Sequence, residues 1–334
     1  MKKVRLALAL ASLFLVSNLH AVTLVEDFSH DPALDGWQVF GDTNLFTWDS
    51  TNHDLKVTWD SSQPNSYFHH PLGTILGTND DFSVSFDLVL HDYAIGVNPA
   101  APYSFELATG LQNFTEASSA GFLRGGYPTQ PDLAEFDFFQ WDDSGFDTNT
   151  VWPSFIDSEN DFYYLNAKSY GVVELPKDVV MRVIMNYTAA DQTCVLSITT
   201  NGTVVAAPVA AVLNAPGVFF EDYHLDTFAV ESYNDAKSGG SLLAHGTIGN
   251  IVLTVPAPPV TLVQGALRNG MWQVQFAGKT NWNYVLQSSS NLQTWLPAGP
   301  LVGGTNGRMI LRDETNLPPV SQHQFYRVDA VRPD

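Results

Sequence analysis

Residues 134–145 read AEFDFFQWDDSG and place Glu135 and Asp137 two positions apart among Phe136, Phe138, Phe139 and Trp141. Side chains alternate along a strand, so a strand here puts Glu135 and Asp137 on one face. Two carboxylates on a common face suit glycosidic cleavage, where one attacks or activates and the other protonates the leaving oxygen. The same pair, set among rings, also suits recognition without chemistry. Carboxylates and amides bind sugar hydroxyls, and rings stack on sugar C–H faces. A regular strand gives the acids Phe139 and Trp141 as neighbours. A β-bulge at 138–139 brings Gln140 to their face instead. A third reading has the acids as a solvated face and the phenylalanines as core.

The next stretch, WDDSGFDTNT, gathers Asp142, Asp143 and Asp147 with Ser144 and Asn149. Calcium takes six to eight oxygens, and such a loop supplies them, although the spacing is not that of an EF-hand. Turn chemistry alone also selects these residue types. DSENDF at 157–162 is a lesser acidic cluster. Trp141, Trp152, Tyr163, Tyr164 and Tyr223 are candidate stacking rings, whereas Trp48 and Trp59 read as core. His69 and His70 are adjacent and point opposite ways on a strand, which does not suit one metal. The chain has no zinc-type His or Cys spacing, no Gly-x-Ser-x-Gly elbow and no phosphate or dinucleotide loop.

The elements that must hold these residues are strands. DLKVTWD at 54–60, DFSVSFDLVL at 81–90, VVMRVIMNYT at 179–188 and CVLSITT at 194–200 alternate or run apolar between turn residues. Asn201-Gly202 and Asn269-Gly270 each lie between β-rich runs and predict two-residue hairpins, because both turn positions need positive φ. VPAPPV at 255–260 cannot join a ladder and marks a boundary. The predicted organisation is a large β domain over 22–256, a Pro-rich linker at 257–260 and a small β domain over 261–334.

The chain begins MKKVRLALALASLFLVSNLHA. A basic end, a short apolar stretch and a small-residue end read as a secretory signal cleaved after Ala21. No later segment is apolar enough for a transmembrane helix. The expectation is an exported protein of the secreted, cell-surface or periplasmic space. Loss of the signal's three basic residues takes the formal net charge from −20 to −23. Such a charge repels phosphate backbones and argues against nucleic acid as a partner. The one cysteine, Cys194, cannot form an internal disulfide and reads as a buried small hydrophobe.

EDFSHDPALDGWQVFG, FTWDSTNHDLKVTWDSSQPNSYFHHPLG and SLLAHGTIGNIVLTVP together resemble the concanavalin A-like jelly roll of legume lectins, laminin G modules and family 16 glycoside hydrolases. The tail, with YVLQSSSNLQTWLPAG and QFYRV, is similar to a small fibronectin-like module of exported bacterial proteins, especially Verrucomicrobia-like ones. The resemblance implies an all-β jelly roll with a concave face. Family 16 enzymes carry Glu-x-Asp-x-(x)-Glu on that face, with the first Glu as nucleophile and the last as acid/base. Glu135 and Asp137 match the first two places. Gln140 stands at the third, and a carboxamide cannot act as general acid. The favoured expectation is therefore non-catalytic binding of an extracellular polysaccharide or surface glycan through Glu135, Asp137, Gln140 and Trp141. A family 16-like hydrolase with Glu135 as nucleophile is the enzyme alternative. A structural or adhesion protein without a glycan site is the third. An open groove with a bulged strand favours the first two, and a covered face favours the last.

Overall fold

The computed structural model describes residues 21–124, 130–140, 148–158, 162–164, 170–218, 220–235, 239–315 and 324–333. The chain divides between Pro256 and Ala257 into two compact units.

The larger unit is built from two antiparallel sheets of eight strands. The first runs Thr203–Val212, Thr193–Thr200, Met181–Thr188, Phe82–Ile95, Leu242–Val255, Asp54–Asp60 and Phe46–Asp49, with Val22–Glu26 paired to Leu242–Val255. The second runs Phe162–Tyr164, Thr150–Asp157, Leu133–Phe139, Leu107–Gln112, Leu225–Ser232, Ser66–Leu76 and Gln38–Phe40, with Gly171–Val172 paired to Thr150–Asp157. Some neighbours are consecutive in the chain, such as Met181–Thr188, Thr193–Thr200 and Thr203–Val212. Others, such as Phe82–Ile95 with Leu242–Val255, are far apart in sequence, so the hydrophobic pattern must fix their register. The predicted strands lie within one or two residues of these bounds, apart from Phe82–Ile95, which runs five residues further. Asn201 and Gly202 turn the first hairpin at φ 46° and 76°.

The core lies between the sheets. Phe136 and Phe138 project from the second sheet onto Phe86 and Tyr93 of the first, at ring separations of 6.0 and 5.8 Å. Both phenylalanines are buried, which contributes roughly 1.5–3 kcal/mol apiece. Trp59 and Cys194 are buried in the same core, and burial pushes the Cys194 thiol well up from its usual range. Trp48 packs against its edge and donates its indole N–H to the carbonyl of Phe28.

The smaller unit has one sheet of Thr261–Arg268, Met271–Gly278 and Gly307–Arg312. A second sheet is centred on Asn283–Ser289, paired with Leu296–Pro297, Val302–Gly303 and Phe325–Val331. Phe276 and Tyr284 meet between them at 4.9 Å. The Asn269-Gly270 turn has φ of 51° and 80°, as its hairpin requires.

Candidate functional site

Because Phe136 and Phe138 face the core, Glu135 and Asp137 take the outer face of the second sheet. The ladder assigns their companions there. Glu135 pairs with Gly110 and Ser154, and Asp137 with Ala108 and Trp152. Ala108 in turn pairs with Glu231, and Glu231 with Tyr67. The outer face thus carries Tyr67, Ala108, Gly110, Glu135, Asp137, Trp152, Ser154 and Glu231 in one patch.

Pairing runs unbroken through Phe138–Val151 and Phe139–Thr150, so there is no bulge at 138–139. Phe139, not Gln140, shares the acids' face, and it stacks on Trp152 at 4.6 Å. Gln140 follows the end of the strand and is buried.

The groove expected over this face is filled. The segment 113–124 crosses it as a roof. Asn113 caps the short helix Phe114–Ala117 by accepting from the Glu116 amide. Phe114 stacks on His69 at 4.3 Å, and its amide donates to Asp226. The Tyr67 hydroxyl donates to the Ala117 carbonyl at 3.0 Å, and Asn65 Nδ2 to the Phe122 carbonyl at 3.0 Å. Phe122 meets Tyr233 edge-on.

Arg124 ends the roof and explains it. Its Nη2 lies 3.0 Å from Glu135 Oε2 and 3.1 Å from Asp137 Oδ2, and its Nε lies 2.7 Å from Glu106 Oε1. The guanidinium also stands 5.5 Å from the centre of the Tyr233 ring. The Tyr233 hydroxyl donates to Glu135 Oε1. Glu135 and Asp137 have 0% exposure, Glu231 1% and Glu106 9%. An uncompensated buried carboxylate costs several kcal/mol, so the acids draw the guanidinium down onto the sheet and the chain comes with it. Acids expected at an open groove are therefore sealed in a charged core.

One guanidinium faces four carboxylates. Among the described residues, both oxygens of Glu231 and Oδ1 of Asp137 lack a partner at hydrogen-bond geometry. Burial raises Glu135 to about 7, against the pull of Arg124 and Tyr233. Burial, reinforced by the neighbouring carboxylates, lifts Glu231 and Asp137 well above the carboxylate range. Burial likewise raises Glu106.

Other candidates fall as follows. Trp152 and Tyr223 are buried and present no open ring. His69 lies on the outer face against Phe114, and His70 lies inward beside Trp37, as their adjacency predicts. Trp141, Asp142, Asp143 and Asp147 lie outside the described residues, as do the side chains of Tyr163 and Tyr164. Asp157 is buried and accepts from the Glu221 amide. Among the described residues no group of three or more His, Cys, Asp or Glu could hold a metal. No helix among them is long and apolar enough to cross a membrane.

The sequence reading passed over Glu106, Arg124, Glu231 and Tyr233. FELATG and FAVESY each hide an acid in an apolar strand. Such an acid needs a buried partner, and residues 22–256 contain only six Lys and Arg from which to draw one.

Two eight-stranded antiparallel sheets, layered over one core and joined by long crossovers, decide the fold. The larger unit is a jelly-roll β-sandwich. No protein-family model and no curated protein sequence matches the chain. Solved structures do resemble it. Lectin II from Ulex europaeus matches at 13% identity over 71% of this chain and 99% of that one, with a TM-score of 0.46. Lectin I from Ulex europaeus, solved with the methyl glycoside of alpha-L-fucose, matches at 13% identity over 71% and 98%, with a TM-score of 0.42. A Bacillus subtilis protein of unknown function with a galectin-like fold matches at 12% identity over 70% and 96%, with a TM-score of 0.39.

Proposed function

We propose that this is an exported, non-catalytic glycan-recognition protein whose sugar meets the half-exposed rim of the roofed face, not the acidic strand. The observation that carries the reading is the sealing of Glu135 and Asp137 beneath Arg124. A glycosidase needs its carboxylates open to the sugar, with room for the anomeric carbon and for water. Here both acids are spent on one guanidinium. Toward the rim, the same face ends in half-buried Phe40 and Phe114 beside exposed Gln38. Phe40 stacks on Tyr67 at 5.5 Å and meets Phe114 edge-on. Rings fixed by their neighbours, with an amide alongside, suit a sugar's C–H face and hydroxyls.

The roof itself favours a second reading, a structural or adhesion protein with no glycan site. A glycan array on the mature protein, with and without calcium, separates the two. The first reading expects selective binding of a glycan that weakens at least tenfold in Phe114→Ala. No binding to any glycan would leave the second.

A further inference from the structure

Charge is divided unequally along the chain. Residues 21–256 hold 31 Asp and Glu against six Lys and Arg. Residues 257–334 hold four acids against six bases. The smaller unit is thus net +2 beside a larger one at −25. Its basic residues are also concentrated.

In the sheet of Thr261–Arg268, Met271–Gly278 and Gly307–Arg312, the register sets two faces. Val274, Phe276, Met309 and Leu311 are buried on one. The other carries Arg268, Arg308 and Arg312 with Gln264, Gln273 and Gln275, and no carboxylate. All three arginines are exposed, and among the described residues none is in an ion pair. Arg308 instead donates to the Gln275 amide oxygen on the adjacent strand, which fixes it on the face. Four residues of strand separate Arg308 from Arg312 by roughly 13 Å, and Arg268 lies two strands away, roughly 10 Å across the sheet.

We propose that this arginine–glutamine face binds an acidic polysaccharide, a chain bearing both hydroxyls and carboxylate or sulfate groups. Guanidinium forks pair bidentately with such anions. The glutamines between them supply donors and acceptors for hydroxyls. A flat face with spaced cations matches a polymer whose charges recur, better than it matches one small anion. The face lacks the exposed rings that single-stranded nucleic acid stacks on, since Trp272 belongs to the other face, against Tyr326. Its apolar residues, Met271 and Ile310, stand singly, unlike the continuous apolar face of a membrane-surface element.

The test titrates the full mature chain with polygalacturonate and with dextran sulfate, using neutral dextran as the control. Binding is expected to the two acidic polymers and not to dextran, weakening as salt rises. The triple change Arg268→Gln, Arg308→Gln, Arg312→Gln should lose at least tenfold in affinity with an unchanged melting curve, because all three side chains are exposed. The triple Arg→Lys variant should lose less. Undiminished binding by the glutamine variant would overturn the proposal. So would arginine-dependent binding confined to phosphatidylglycerol vesicles or duplex DNA, or arginine-dependent self-association without polymer. Neutral dextran binding as tightly as the acidic polymers would also overturn it.

Discussion

Arg124 is the residue on which the outer face depends. Arg124→Gln leaves Glu106, Glu135 and Asp137 without their cation and is expected to cost about 3–5 kcal/mol, read by denaturant unfolding. Glu231 behaves in the opposite way. Its buried carboxyl stands among like charges and outside the reach of Arg124's ion pairs, so Glu231→Gln removes a buried charge requirement and should leave stability at neutral pH unchanged or higher. The cluster also sets a pH dependence. Glu135 is raised from 4.5 to about 7, and burial likewise raises Asp137 and Glu231 well above their ordinary values. A carboxyl with a folded pKa above its unfolded value favours folding fully below the unfolded value and loses that contribution as pH rises through the folded one. Stability should therefore be highest near pH 4–5 and fall as pH rises through about 7, more gently in Glu231→Gln. Wild type and variant with the same slope would show that Glu231 does not contribute to it.

At the scale of the element, the strands Leu107–Gln112 and Leu133–Phe139 approach too closely for a side chain at Gly110. A Cβ there would lie 2.3 Å from the Ala134 carbonyl oxygen and 2.6 Å from the Glu135 Cα. Both are backbone atoms and cannot swing aside, so Gly110→Ala should cost about 1–3 kcal/mol and disturb Glu135 itself. Gly202→Ala meets no atom within 4 Å but must hold φ near 76°, and should cost only about 1 kcal/mol. Thermal melts of the two side by side distinguish contact from conformation. These elements also show what the sequence could reveal. Alternation in DLKVTWD and the two Asn-Gly turns specify strands and hairpins locally, and those appear where expected. Alternation likewise put Glu135 and Asp137 together. The roof was not legible, because its cause is a contact between Arg124 and acids on two other segments, Glu106 before one strand and Glu135 and Asp137 on the next. Nothing local in FLRGG announces that partner. Alternation left a bulge at 138–139 open, and the regular ladder to Thr150–Asp157 excludes it.

The whole molecule is strongly acidic, and its surface charge repels itself more as pH rises. That repulsion and the buried cluster push stability the same way with pH, and salt separates them. Surface repulsion is screened within about 8–10 Å, whereas a buried cluster is screened far less. The pH slope should therefore persist in high salt, read by melts across the pH range with and without added sodium chloride. Its disappearance would assign the slope to the surface. The central claim concerns the role of the acidic strand, that Glu135 serves the fold and not the ligand. The most direct measurement takes a glycan that the mature protein binds and compares wild type with folded Glu135→Gln, following affinity and newly released reducing ends together. The account predicts equal affinity and no released ends in either protein. Reducing ends that appear with wild type and vanish in the variant, or affinity lost in the variant, would return the chemistry to the acidic strand and contradict it.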